Sequence, residues 1–235
     1  MKKFYLLVIT IIFIFGFAGC SENASEKNSE TKGGSGSVSV SVNKSKDKEE
    51  EIFNDEEVIK NITTTTYTWN EGSYYYAAII AKNNSKMDCQ LTANIVFKDE
   101  DGNTIGADDD IIYALEKNAE ACFVVSNEEP FASLDYTYQA EKTSFYQPVA
   151  SKLTCEVSTT ADKAILTFKN NGEKIINSTE YQVLFMLGEN VVDHNWGYVS
   201  DLNPNGTKVE ESNYYNSKKG FDSIKVYYSG YTTED

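Results

Sequence analysis

A chain of 235 residues with a formal charge of −15 is a poor ligand for nucleic acid or anionic lipid, the more so because all 21 of its basic residues are lysine. Phosphate contacts need clustered positive charge, and the bidentate arginine fork is missing altogether. Aromatic residues make up 13% of the chain, and the ordered part is dominated by Tyr, Val, Ile, Thr and Phe, which suit pleated, half-buried surfaces.

Lys2 and Lys3 precede an apolar run from Phe4 to Phe17 of about 14 residues, the length of a signal-peptide core and short for a membrane span. Ser21, Glu22 and Asn23 interrupt it too soon for an uncleaved anchor. The run closes on Phe17-Ala18-Gly19-Cys20, two small residues before a cysteine. This resembles the lipobox of bacterial lipoproteins, with Phe17 where that family usually has Leu; an ordinary secretory signal is the next reading. The resemblance implies cleavage after Gly19, a thioether-linked diacylglycerol on Cys20 and, in some bacteria, a further amide-linked chain such as palmitate. Two or more acyl chains anchor stably where one is marginal. The expected location is the extracellular face of the cell membrane, with the membrane as a partner through the lipid on Cys20.

From Ser21 to about Glu51 the chain is rich in Ser, Glu, Lys, Asn and Gly and poor in apolar residues. Such a stretch cannot bury enough surface to offset its ordering entropy and reads as a disordered tether. As a flexible coil it spans roughly 30 Å on average and about 100 Å at full stretch. Asp55 to Asn61 follows and reads as the approach to the first strand rather than as a helix.

The remainder repeats itself at an offset of roughly 90 residues. Tyr76 to Asn84 and Ala164 to Asn171 are apolar strands ending in Lys-Asn-Asn and a turn. Longer strands follow, Leu91 to Phe97 and Tyr181 to Phe185, each running into a hairpin turn at Asp101-Gly102-Asn103 or Gly188-Glu189-Asn190. Later turns fall at Lys117-Asn118 and Pro204-Asn205-Gly206, and the copies close on Phe131 to Tyr138 and Phe221 to Tyr228. Short strands broken by turns every 8–12 residues or so are the pattern of an antiparallel sandwich. The fold class expected is all-β: two tandem immunoglobulin-like antiparallel β-sandwich domains after a signal peptide and a disordered tether. The boundaries are 1–19 for the signal peptide, 20–51 for the tether, 52–146 for the first sandwich and 148–232 for the second.

An apolar strand ending in Asn-Asn, a strand ending in Phe, and then Asp99 to Gly106 in the pattern Asp-x-Asp-Gly-Asn-x-Ile-Gly resemble the FxLYD domain. The resemblance covers both copies, and the motif that names the family is met in part at Phe131 to Tyr136. It implies an immunoglobulin-like fold on surface or secreted proteins of Gram-positive bacteria, and it implies no catalytic residues.

After Cys20 three cysteines remain, an odd number that argues against a disulfide framework. Cys89 shares a strand face with Leu91, Ala93, Ile95 and Phe97 and should point inward; Cys155 also reads as a core residue. Cys122 alternates with Phe123 and Val125 and should point outward. His194 is the only histidine and is expected on an exposed strand or loop. A zinc site needs His or Cys in threes or fours, so composition argues against one. A catalytic triad could form only around His194, and no Gly-x-Ser-x-Gly elbow occurs. The expectation is a chain with no catalytic residues and no cofactor. Asp99, Asp101, Asp108, Asp109 and Asp110 cluster about a turn and are the calcium candidates, but their spacing fails the calcium-loop pattern and a solvated Asp-Gly hairpin explains them.

The candidate binding aromatics are Tyr74, Tyr75, Tyr76, Tyr214, Tyr215, Tyr227 and Tyr228, because consecutive strand residues alternate sides and each run sends a ring outward. Their competing role is cross-strand packing. The function expected is a lipid-anchored, extracellular, non-catalytic binding or adhesion module, with a surface protein or cell-wall glycan as partner and no nucleic acid. The alternative is a structural or accessory lipoprotein of a cell-envelope assembly.

Overall fold

The computed structural model describes residues 52–216 and 219–233; the signal segment 1–19, Cys20 and the tether 20–51 lie outside the described residues. The fold is all-β with antiparallel pairing throughout the described strands. In chain order the first half contains helix α1 (Asp55–Lys60) and strands β1 (Ile62–Glu71), β2 (Tyr74–Asn83), β3 (Cys89–Lys98), β4 (Thr104–Leu115), β5 (Glu120–Asn127) and β6 (Ser133–Glu141). They form two sheets, ordered β1-β2-β5 and β4-β3-β6. The second half contains β7 (Tyr146–Pro148), a 3-10 turn (Ala150–Lys152), β8 (Leu153–Thr159), β9 (Lys163–Asn170), β10 (Ile176–Leu187), β11 (Asn190–Leu202), β12 (Thr207–Asn213) and β13 (Ser223–Thr233). Its sheets are ordered β12-β9-β8 and β11-β10-β13-β7. With β8 set against β1 and β9 against β2, the two halves have one topology, and β7 is an extra strand beside β13.

The stretch read as a mere approach to β1 is α1. Asn54 caps it, its side-chain oxygen accepting the Glu57 N–H at 3.0 Å. Asp55, Glu56 and Glu57 occupy the first turn and Lys60 the last, the order that the helix dipole favours. Val58 is fully buried in the first core. One turn has too few apolar positions to show a helical period, which is why the pattern is silent in sequence.

The repeated Lys-Asn-Asn motif has a structural reason. Asn83, completely buried, donates from Nδ2 to the Met87 carbonyl at 2.8 Å and accepts the Ser85 backbone N–H on Oδ1 at 3.0 Å. Asn170, equally buried, donates to the carbonyls of Lys174 (2.8 Å) and Leu202 (2.9 Å) and accepts the Gly172 N–H (2.8 Å). Each therefore ties down the crossing from one sheet to the other, where a strand has ended and backbone groups have lost their ladder. The matching turns before β5 and β12 place Asn118 and Asn205 at φ of 64° and 56°, a conformation asparagine tolerates.

Each sandwich has its own core. In the first, Ala77, Ile79, Leu91, Ile95, Phe97 and Phe123 face inward; in the second, Leu166, Phe168, Ile176, Val183, Phe185 and Val199 do. A third core lies between them. The outer face of β1-β2-β5 presents Trp69, Ala78, Ile80 and Cys122, and these pack on Leu184, Met186 and Val191 of the second sandwich. Consequently β2 and β10 are covered on both faces: five consecutive residues from Ala77 to Ala81 are buried, as are Val183 to Met186. Lys225 reaches across, donating from Nζ to the Tyr67 hydroxyl at 2.6 Å and lying 4.8 Å from the centre of that ring. The described residues belong to one compact unit.

The cysteines follow from these faces. Cys89 is buried in the first core and Cys155 packs against the second. Cys122 does leave the first core, as alternation predicts, but it is buried in the third. The expectation of outward exposure is corrected, because the face it points to is covered by the neighbouring sandwich. All three are free thiols, and burial pushes those of Cys89 and Cys155 up to about 12 and 11. Among the described residues no helix is long and apolar enough to cross a membrane.

Candidate functional site

The hairpin between β1 and β2 and the bend in β11 meet at one end of the third core. Gly72, at φ 59°, turns the hairpin and leaves Glu71 at the end of β1, directly paired with Tyr74. In β11 the register slips: Phe185 pairs with Asp193 while Met186 pairs with Val191, so Val192 is the extra residue of a β-bulge. A bulge bends its strand and re-aims its side chains. Here it carries Asp193 and His194 up to Glu71, so that donor atoms of all three lie within 4.8 Å of one another. Among the described residues this is the one group of three or more His, Cys, Asp or Glu side chains so gathered.

Asp193 is buried and well held. Its Oδ2 accepts the backbone N–H groups of Tyr215 (2.6 Å) and Asn216 (3.1 Å), and its Oδ1 accepts that of His194 (2.7 Å). Burial raises the Glu71 carboxyl above the ordinary glutamate range, and the Asp193 carboxylate raises it further through its charge and a shared hydrogen bond. Two carboxylates this close repel each other, which is the charge effect felt at Glu71. His194 sits against Tyr76 and Trp69, ring centres 4.9 and 5.3 Å away. Burial lowers its pKa below the ordinary imidazole value and so favours the neutral ring, opposed in part by the Asp193 carboxylate, which favours the protonated one. Its Nδ1 is buried with no hydrogen-bond partner among the described residues, as is Nε1 of Trp69.

The expectation that His194 is exposed is therefore corrected: it is half-buried at the joint between the sandwiches. Glu71 carried no signal in sequence, since it lies more than a hundred residues from Asp193 and only the packing of two domains brings them together. The lone histidine beside an aspartate was visible; the bulge that aims them was not.

The seven candidate tyrosines are largely used in packing. Tyr76 stacks on Trp69 with ring centres 5.2 Å apart, Tyr227 packs against the third core, and Tyr214 and Tyr228 pack against the second. Tyr75 is half-buried. Tyr74, 42% exposed, and Tyr215, 66% exposed, remain open. Tyr227 and Tyr228 also line a cleft of about 570 Å³ between the sandwiches, with Glu116, Lys117, Ala150 and Ser151. The largest open aromatics on a strand are ones not singled out in sequence, Trp196 and Tyr198 on β11, 65% and 64% exposed. They share with His194 one face of an edge strand, so a face that starts buried at the joint emerges into solvent.

The five calcium candidates do not converge. Asp99 closes the β3–β4 hairpin, accepting the backbone N–H groups of Asp101 (2.9 Å) and Asn103 (2.8 Å) and the Asn103 amide (3.0 Å). Asp101 lies at the same tip, while Asp108, Asp109 and Asp110 run along β4. Asp110 is half-buried: desolvation raises its pKa, Asp108 and Asp109 add to the rise, and the N–H groups of Ile111 and Val124 oppose it. A carboxyl whose folded pKa is raised binds its proton more tightly in the folded state, so its cost is present above the folded pKa and disappears as pH falls through it. Asp110→Asn is expected to stabilise the protein at neutral pH, by about 0.5 kcal/mol because the group is partly solvent-screened. Urea unfolding should show the advantage shrinking to nothing in acid.

No family model matches the chain, and no curated protein matches it. Among solved structures it is similar to the transglutaminase of red sea bream, with a TM-score of 0.24 and 10% identity over 72% of this chain and 29% of that one. The chain thus spans under a third of that enzyme's length, and a likeness at this TM-score carries no argument about activity.

Proposed function

We propose that the protein is a lipid-anchored extracellular binding module without catalytic activity, built of two FxLYD-like immunoglobulin-like domains. The observation that carries the binding reading is the open pair Trp196 and Tyr198, side by side on one face of the edge strand β11. Aromatic rings and an unpaired strand edge are the materials of protein and glycan recognition. The lipid anchor at Cys20 is supported by the lysine pair, the apolar run and the Phe17–Cys20 pattern, and the FxLYD relationship by the turn and core residues that recur in both copies. The partner is a surface protein or a cell-wall glycan.

In a test, the full chain is sedimented with isolated Gram-positive cell walls and, separately, passed over detached surface proteins. Wild type should be retained by one of the two, and Trp196→Ala with Tyr198→Ala should weaken retention at least about tenfold, as loss of central aromatics does at interfaces. Unchanged retention in the double variant overturns the assignment of the face. The anchor is tested by fractionation: Cys20→Ala should leave the membrane fraction. The second reading, a structural or accessory lipoprotein, is favoured by one observation, that four of the seven candidate tyrosines are taken up in packing and a fifth is half-buried. Absence of retention in both assays would support it.

A further inference from the structure

We propose that Glu71, Asp193 and His194 form a binding site for one divalent transition-metal ion, zinc or a similar ion, which clamps the two sandwiches together at their joint. Three observations carry this. The donor atoms lie within 4.8 Å of one another, and a small side-chain shift brings them to the roughly 3.3 Å that separates tetrahedral ligands of one zinc ion. They come from both sandwiches, Glu71 from β1 and Asp193 with His194 from β11, so an ion held by all three bridges the joint. Nδ1 of His194 is buried without a hydrogen-bond partner among the described residues, a costly arrangement that a bound cation relieves.

The chemistry of the set selects the ion. Composition argues against zinc because His and Cys are few, but carboxylates also ligate it, and two carboxylates with one imidazole suit zinc and its neighbours in the first transition row; calcium takes oxygen alone. The three ligands carry two negative charges when both acids are ionised and so neutralise the ion. None of the ion pairs among the described residues involves Glu71 or Asp193, so no lysine already occupies that role. Backbone N–H groups take three of the roughly four lone-pair positions of the Asp193 carboxylate, and the hydrogen bond it shares with Glu71 is the contact that an ion replaces. Those backbone contacts fix its orientation as an outer hydrogen bond fixes a metal ligand. The remaining coordination position is open to water, as in sites with three protein ligands.

The test is zinc titration of the full chain, followed by calorimetry and by metal analysis after gel filtration, with cobalt as a coloured substitute. Wild type should bind one zinc per chain, and cobalt should give visible ligand-field bands. Glu71→Gln, which keeps the size of the side chain, and His194→Ala should each weaken zinc at least about tenfold, and His194→Ala should lose the bands. Zinc should raise the unfolding midpoint of wild type and leave that of Glu71→Gln unchanged, while circular dichroism checks that the variants are folded. Asp109→Asn, an exposed acid on β4, should bind as wild type does. Zinc binding that survives both variants, stoichiometry that follows the total number of surface acids, or binding of calcium as tight as that of zinc would each overturn the site.

Discussion

Replacing Leu184 by alanine is expected to lower stability by about 3 kcal/mol, within the range for emptying a fully buried leucine position. Leu184 is completely inaccessible, yet it does not face its own sandwich core; it packs into the third core with Trp69, Ala78, Ile80 and Cys122. Its loss should therefore act on the joint. Wild type should unfold in a single transition in urea, because neither sandwich can open without exposing the shared face. Leu184→Ala should shift the midpoint and spread the transition as the halves lose their coupling. Leu166→Ala, which empties the second core instead, should cost as much with the coupling intact. A loss under about 1 kcal/mol for Leu184→Ala would mean that the two sandwiches merely touch.

Replacing Asn170 by alanine is expected to cost about 3 kcal/mol as well, for a different reason. Little apolar area is lost, but two carbonyls, Lys174 and Leu202, and one N–H, Gly172, lose their partner. A buried polar group left unsatisfied costs about 1–3 kcal/mol, and entry of water recovers part of it. Asn170→Asp separates the effects: it keeps the acceptor for Gly172, removes both donors and buries a charge, so it should be at least as damaging as alanine. Asn83→Ala in the first copy should be damaging in the same way, since Asn83 serves the Met87 carbonyl and Ser85. Equilibrium unfolding of the three variants checks this. Near-wild-type stability in Asn170→Ala would show that the recurrence of Lys-Asn-Asn has another cause.

Much of the fold could be read from the residues. Turns at Gly102, Gly188, Asn118 and Asn205 and the inward faces of β3 and β9 follow from period and turn chemistry. The third core was also present in the sequence, although it is easily taken for ordinary strand composition. Ala77-Ala78-Ile79-Ile80-Ala81 does not alternate, and an unbroken apolar run of that length marks a strand covered on both sides. Cys122 carried half of that message: its direction was legible, its cover was not, because the cover comes from residues about 60 positions away. The site is legible in the same limited sense. His194 stands out as a single histidine, whereas Glu71 is one acid among many until the joint selects it.

The joint also has a handedness in the use of its parts. The first sandwich contributes its β1-β2-β5 face and the second its β11-β10-β13 face, so the contact is heterologous, head to tail, and in principle could be repeated without closing. The two faces left over show how repetition is prevented. Where β2 presents Tyr76, Ala78 and Ile80, the equivalent positions of β9 hold Lys163, Ile165 and Thr167, with Lys163 paired to Glu211 at 2.8 Å. On the other side, β3 presents Asn94, Val96 and Lys98, and Lys98 is paired with Asp135. Both ends of the stack are thus polar caps of the kind that terminal units of a repeat array require. The outer faces of the two copies therefore differ from the faces that meet at the joint, so neither exposed face reproduces the apolar surface that holds the two sandwiches together.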